Sequence, residues 1–181
     1  MLPMAMPNGI QAARAVPLPA ASRIADLYAG ADLADSYALT LPPNTSRNAE
    51  TLTRFVLATQ PPWLTTLMGV RDGIAGRFGI KTAAQLRGAP ADRASRIYIF
   101  KVYGAYENEI ILGADDTHLD FRLSVLLGAL DPGESAEITV TTAVHCHNLL
   151  GRVYLSIISP FHRIIVRAML NRAARQGWPP D

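Results

Sequence analysis

Alternation of apolar and polar residues along the chain predicts five strands. In the first, residues 36–41, the apolar side chains occupy alternate positions, as in a strand with one buried face. Four more strand-like runs follow in the second half of the chain: 97–103, 109–112, 118–127 and 136–147. Turn-forming glycine, asparagine, aspartate and proline residues separate them. Because connections this short join antiparallel neighbours, the pattern predicts an antiparallel meander.

Two helices are predicted between the first strand and the meander. Thr45 or Ser46 stands where it could cap the first of these helices. Pro61 ends that helix, because the residue before a proline resists the α conformation. Pro62 can open the second helix, where a missing N–H costs nothing. The stretch 81–95 is then predicted to be a loop.

A long, largely apolar helix is predicted over residues 149–174. Five of its polar residues fall on one narrow line: Arg152, Ser156, Ser159, Arg163 and Arg167. A helix with so narrow a polar face is expected to pack against other elements on most of its sides. Pro160 lies mid-helix and removes one backbone hydrogen bond, so a kink is expected there.

The order of these elements predicts an α+β fold of the helix-grip type. In that arrangement a curved antiparallel sheet wraps a long C-terminal helix, and two short helices after the first strand close one end. The gap between helix and sheet is commonly a ligand cavity. We predict a single helix-grip domain at 35–176, preceded by an extended arm at 1–34 and followed by a tail at 177–181.

Composition and charge narrow the classes of function. Apolar residues make up 49% of the 181 residues and charged residues 18%, which excludes disorder across the whole chain. The net charge is +2, without a dense cationic cluster outside the last helix, so no nucleic-acid partner is predicted. Arginines interrupt the last helix, so no integral membrane association is predicted. Cys146 stands alone, and the N-terminus lacks a signal-peptide pattern, so the expected location is cytoplasmic.

Candidate chemistry is concentrated on the strand 118–127, which carries one polar face: His118, Asp120, Arg122 and Ser124. A hairpin turn near residues 131–133 could bring His145 and His147 beside Asp120 and His118. One interpretation is an acid–base pair of Asp120 and His145, with His118 close by. Another is a metal site built on His145 and His147. The favoured interpretation is an outward-facing polar surface, so no metal and no cofactor are predicted.

The opposite, apolar faces are predicted to line the cavity. The expected lining residues are Leu150, Tyr154, Ile157 and Phe161 from the helix, and Phe121, Leu123 and Val140 from the sheet. His162 could either satisfy a carbonyl freed by Pro160 or reach into the cavity.

Several segments resemble a bacterial family known only as a domain of unknown function, number 2867. They are DLADSYAL, PPWLTTLMGVRDGIAGRFGI, GADDTHLDFRLSV and VHCHNLLGRVYLSIISPFHRIIVRAML, and the resemblance spans residues 27–174. It implies membership of the START and pollen-allergen-like helix-grip superfamily, whose members include polyketide cyclases, aromatases and lipid carriers. The resemblance brings no catalytic residues with it.

Three functions are therefore carried forward. The first is binding of a small apolar or amphipathic molecule, such as a lipid or polyketide-like compound. The second is a cyclase- or hydrolase-like enzyme that uses Asp120 and His145. The third is an accessory protein that docks a partner through the polar strand face. The sequence is also compatible with a homodimer.

Overall fold

The computed structural model describes residues 12–77, 96–128 and 136–181. The predicted loop at 81–95 and the predicted turn at 131–133 lie outside these residues. In chain order, the described elements are β1 (Arg14–Ala15), a 3-10 turn (Ala25–Leu27), β2 (Leu33–Thr40), α1 (Ala49–Ala58), α2 (Pro62–Arg77), β3 (Arg96–Ile97), β4 (Phe100–Ala105), β5 (Glu109–Asp115), β6 (Leu119–Leu127), β7 (Glu137–Cys146) and α3 (Leu149–Gln176).

The described strands form one curved, open, antiparallel sheet in the order β1-β2-β7-β6-β5-β4-β3. Strands β4 to β7 are the predicted meander, and the α+β fold class is confirmed. The first long strand, β2, pairs with the last, β7, so that Tyr37 stands opposite Val140. This pairing brings together segments about a hundred residues apart, and it places the N-terminal part of the chain beside the most buried strands.

The predicted strand at 97–103 is wrong in one respect, because it is two strands joined by a tight turn. Ile97 stands opposite Phe100, and Tyr98 between them has a left-handed backbone with φ 57°. The first long strand begins at residue 33 instead of 36, and β5 continues to residue 115 instead of 112. Apolar alternation marks strand centres, whereas hydrogen bonding to a neighbouring strand decides where strands end.

The cap of α1 also differs from the prediction. Asn48 caps the helix, and its side-chain oxygen accepts a hydrogen bond from the N–H of Thr51 at 2.8 Å. Thr45 instead donates its hydroxyl to the carbonyl of Pro42, so neither Thr45 nor Ser46 is the capping residue. Helix α2 begins at Pro62, as predicted.

Helix α3 is 28 residues long, is capped by Asn148 and continues through Pro160. It packs against β2, β7, α1 and α2. The expectation that it is buried on most sides is wrong. Its most exposed apolar residues are 40% to 76% exposed: Leu149, Val153, Ile157, Phe161 and Ile164. The sheet and the short helices cover only one side of α3, and the kink at Pro160 stays a prediction.

By length and composition alone, α3 could also cross a membrane. Its most apolar 18-residue window has a mean hydropathy of 1.3, and 22% of that window is buried inside the protein. Core helices of soluble proteins meet the same criterion. The absence of integral membrane association therefore stays a prediction.

The main core lies between the inner face of the sheet, α1 and the C-terminal half of α3. Its most completely buried members include Leu52, Leu112, Ile138 and Leu170. A second cluster, centred on Tyr154, lies under the N-terminal half of α3. On the outer face of the sheet, Ile24 of the N-terminal arm packs against residues of β5 and β7. The arm therefore covers part of the face that α3 does not.

Candidate functional site: an apolar cavity and a histidine–carboxylate pair

A cavity of about 450 Å³ lies between α3 and the inner face of the sheet. Side chains alternate along β6, so Leu119, Phe121 and Leu123 face the cavity while the intervening residues face away. Helices α1 and α2 contribute Leu57, Leu67, Met68 and Val70 to the wall, and α3 contributes most of the remainder. Almost every wall residue is apolar; the polar or charged ones are Asp116, Thr142 and His162.

The structure places most of the predicted lining residues on this wall. Those on the wall are Tyr154, Ile157, Phe161, His162, Phe121 and Leu123. Leu150 and Val140 are not among the lining residues, and their prediction is wrong on this point. Val140 is packed in the main core, where it is 6% exposed, and Leu150 lies in the first turn of α3. Ligand binding by the six wall residues stays a prediction.

The most distinctive polar feature of the cavity is a pair formed by His162 and Asp35. Nε2 of His162 lies 3.2 Å from Oδ1 of Asp35, and the two side chains are 22% and 14% exposed. Nε of Arg163 lies 3.8 Å from the other carboxylate oxygen, Oδ2. Buried charge of this kind is stabilised when the carboxylate accepts a hydrogen bond and has a cation close by. His162 thus projects from the cavity wall with a carboxylate behind it.

Asp35 was missed by the sequence prediction because the predicted strand began at residue 36, whereas β2 begins at Leu33. In β2, Asp35 alternates with Leu33, Tyr37 and Leu39, and this face of the strand points inward. A charged residue in register with an otherwise apolar face is the signal that could have identified it. For His162, the prediction left two alternatives open, and the side chain lies on the cavity wall.

Tyr37 is the next inward residue after Asp35 and shares its surroundings. Burial raises the pKa of Tyr37, and the negative charge of Asp35 raises it further, while Arg163 and Arg167 oppose these effects. The phenol therefore stays neutral at physiological pH.

Of the candidate catalytic residues, Asp120 and His145 lie on the outer face of the sheet, whereas His118 immediately precedes β6. Asp120 stands opposite His145 in the register, as expected, but its carboxylate contacts Nε2 of His147 at 3.0 Å. Nε2 of His145 lies 2.8 Å from the carbonyl oxygen of Leu27, and Nδ1 of His118 contacts Asn148. Asp120, His145 and His118 are not on the cavity wall, so they are not placed to act on a molecule bound inside it.

Comparison with known families adds one finding. The family model described as "Protein of unknown function (DUF2867)" matches residues 27–169. The chain belongs to this family. Every residue of the cavity wall lies within the matched segment, as do Asp35 and His162. Searches among curated proteins and among solved structures each returned no match.

Within the described ranges of this DUF2867 chain, no cluster of metal ligands is found, and the thiol of Cys146 has a raised pKa. Among the residues that the structure describes, no three His, Cys, Asp or Glu side chains are grouped so as to hold a metal ion. Burial raises the pKa of Cys146 to about 11, and the nearby charge of Asp32 adds to the effect. The thiol is therefore protonated, and poorly nucleophilic, near neutral pH.

Tyr103, on the outer face, provides a pH-dependent prediction. Its pKa is raised to about 12, first by burial and then by its hydrogen bond to Asp115. In the unfolded chain the phenol ionises near pH 10, so the folded state keeps a proton that the unfolded state loses. Stability from this group is complete below pH 10 and is lost as the pH rises towards 12. Chemical denaturation between pH 9 and 12 should show this decline, and Tyr103→Phe should make it shallower.

Proposed function

We propose that this DUF2867 chain binds a small, mostly apolar molecule in the cavity between α3 and the sheet. The observation that carries the proposal is the cavity itself. Its volume of about 450 Å³ falls in the range typical of small-molecule sites, roughly 300–1,000 Å³. Such sites are mostly apolar with a few polar groups, which is also the composition of this wall.

The arrangement of helix and sheet supports the proposal independently of the cavity volume. A long C-terminal helix lies across a curved antiparallel sheet with two helices at one end, which is consistent with a helix-grip fold. The superfamily that the chain resembles includes lipid carriers and polyketide cyclases, so a lipid or polyketide-like ligand is the class that we propose. An amphipathic molecule fits best, because His162 and Thr142 add polar positions to an apolar wall.

Exposed wall residues indicate where a ligand would enter. Ile157 and Phe161 on α3 are 40% and 44% exposed, and Val70 on α2 is 56% exposed, although all three line the cavity. Apolar side chains that are both on the wall and in contact with solvent mark its mouth. We therefore assign the entrance to the space between α2 and α3.

The two alternative functions gain less from the geometry. The acid–base pair of Asp120 and His145 faces away from the cavity, and its members bond to other residues. Docking of a partner through the polar strand face would compete with the N-terminal arm, because Ile24 packs on that side. Ligand binding inside the cavity is thus the function with the most support from the geometry.

A charge at the mouth should weaken binding of an apolar probe. Ile157→Asp places a carboxylate on the wall, and we expect it to reduce affinity for the neutral fluorescent probe N-phenyl-1-naphthylamine by about tenfold, since burying a charge beside an apolar ligand is unfavourable. Val153→Asp is the matched control. Val153 is on the same helix, is 43% exposed and is not on the wall. The Val153→Asp variant should therefore bind the probe with the affinity of the unmodified chain.

The measurement is a fluorescence titration, supported by native mass spectrometry of the protein as purified. Binding that is reduced by Ile157→Asp alone supports the proposed site. Equal losses in both variants would move the probe to the outer surface of α3. A probe that does not bind the unmodified chain, together with no co-purified small molecule, would overturn the proposal.

A further inference from the structure

We propose that His162 is the specificity determinant of the cavity, and that Nδ1 of its imidazole accepts a hydrogen bond from a hydroxyl group of the ligand. The ligand class is then an apolar molecule with one hydroxyl group that can donate a hydrogen bond. This inference rests on the proposed function, because it requires that the cavity binds ligands. It goes beyond that function by naming the polar group that the cavity selects.

Asp35 sets the orientation of the imidazole ring of His162. Nε2 of His162 lies 3.2 Å from the Oδ1 atom of Asp35, and a carboxylate can only accept, so Nε2 carries the hydrogen. In a neutral imidazole whose Nε2 is the donor, Nδ1 has the lone pair and is an acceptor. Nδ1 has no hydrogen-bond partner among the described residues, and the ring is on the cavity wall.

Asp35 is itself held in place, so the orientation of the His162 ring is fixed. Asp35 is held on the inner face of β2, between Leu33 and Tyr37, with only 14% of its side chain exposed. Its Oδ2 atom is buried and lacks a hydrogen-bond partner among the described residues, although Arg163 is 3.8 Å away. The 3.2 Å hydrogen bond to His162 therefore engages Oδ1 of this carboxylate, and it favours the ring tautomer that carries its hydrogen on Nε2.

The site favours a ligand group that donates a hydrogen bond over a ligand anion. A ligand carboxylate at Nδ1 would face a lone pair, with the negative charge of Asp35 on the other side of the same ring. A hydroxyl has a hydrogen to donate and brings no charge into an apolar wall. The remaining wall offers few other polar positions, so a single hydroxyl satisfies the site.

Three probes of nearly equal size separate these possibilities. 2-Naphthol carries a hydroxyl, 2-methylnaphthalene replaces it with a methyl group, and 2-naphthoate replaces it with an anion. Affinities are measured by fluorescence or calorimetry at pH 8 for each probe. We expect the unmodified chain to prefer 2-naphthol over 2-methylnaphthalene by about tenfold, the equivalent of one hydrogen bond.

Substitutions then assign the preference to particular residues. His162→Phe should abolish the tenfold preference while keeping affinity for 2-methylnaphthalene. Asp35→Asn should reduce the preference, because an amide can donate to Nε2 and move the ring hydrogen to Nδ1. His147→Phe is the matched control, since His147 forms a pair of similar geometry with Asp120 outside the cavity. If His162→Phe does not fold, the double variant Asp35→Leu with His162→Phe removes the buried charge as well.

The outcomes distinguish this inference from the proposed function. Loss of the preference in the His162 and Asp35 variants, with 2-methylnaphthalene binding retained, supports both. Binding of all probes with equal affinity, or a preference that survives His162→Phe, overturns the role of His162 but leaves the cavity as a binding site. A His162-dependent preference for 2-naphthoate shows anion recognition and overturns the hydroxyl class. No binding of any probe overturns the proposed function itself.

Discussion

Glu109→Ala is expected to lower the free energy of unfolding by about 3 kcal/mol and to release the N-terminal arm from the outer face of the sheet. Glu109 is 1% exposed, and its carboxylate accepts three close hydrogen bonds. Ser22 donates at 2.7 Å, Ser124 at 2.6 Å and the backbone N–H of Arg23 at 3.0 Å. Removing the carboxylate leaves these buried donors without their acceptor and leaves a cavity.

Urea denaturation measures the loss of stability, and hydrogen–deuterium exchange of residues 12–32 reports whether the arm is released. Glu107→Ala is the matched control, because Glu107 is exposed and lies only two residues away. We expect that control to change stability by less than about 0.5 kcal/mol. Unchanged exchange in the arm of the Glu109→Ala variant would contradict the proposed attachment of the arm through this carboxylate.

Gly151→Ala is the second substitution with a large expected effect, and its sign opposes helix propensity. In an exposed helix, replacing glycine with alanine stabilises by about 1 kcal/mol. At position 151, however, a Cβ would lie 2.2 Å from the carbonyl oxygen of His118 and 3.4 Å from Cβ of Cys146. Backbone has to move to admit it, so we expect a net loss of about 2 kcal/mol in the free energy of unfolding.

Gly69→Ala tests the same substitution without the steric conflict. A Cβ at Gly69 in α2 meets nothing within 4 Å, so this variant should be as stable as the unmodified chain or more stable. Thermal and urea denaturation of both variants provide the comparison. Equal behaviour of the two alanines would show that α3 does not approach the sheet as closely as the geometry requires.

The same close approach links the fold to the proposed site. Gly151 lets the start of α3 lie directly against His118, at the start of β6, one turn before the wall residues Tyr154 and Leu155. Displacing this turn should shift that part of the wall. Gly151→Ala is therefore expected to weaken probe binding as well as stability, whereas Gly69→Ala should leave binding unchanged.

Much of the architecture follows from local patterns in the sequence. Alternation along β6 determined that Phe121 and Leu123 face the helix while Asp120 and Arg122 face away, because adjacent side chains in a strand point to opposite sides. Pro62 determined where α2 begins, since a proline fits the first turn of a helix. These effects act within a few residues and can be read without knowing the fold.

Other features depend on segments far apart in the chain and were decided only by tertiary structure. Asp35 and His162 are 127 residues apart, and they meet because β2 pairs with β7 beneath α3. Asp120 stands opposite His145 in the strand register, but its carboxylate contacts His147. Side-chain reach, and not strand register alone, determines that contact. The one-sided burial of α3 has the same origin: periodicity shows which residues are apolar, but the number of neighbouring elements decides which of them are covered.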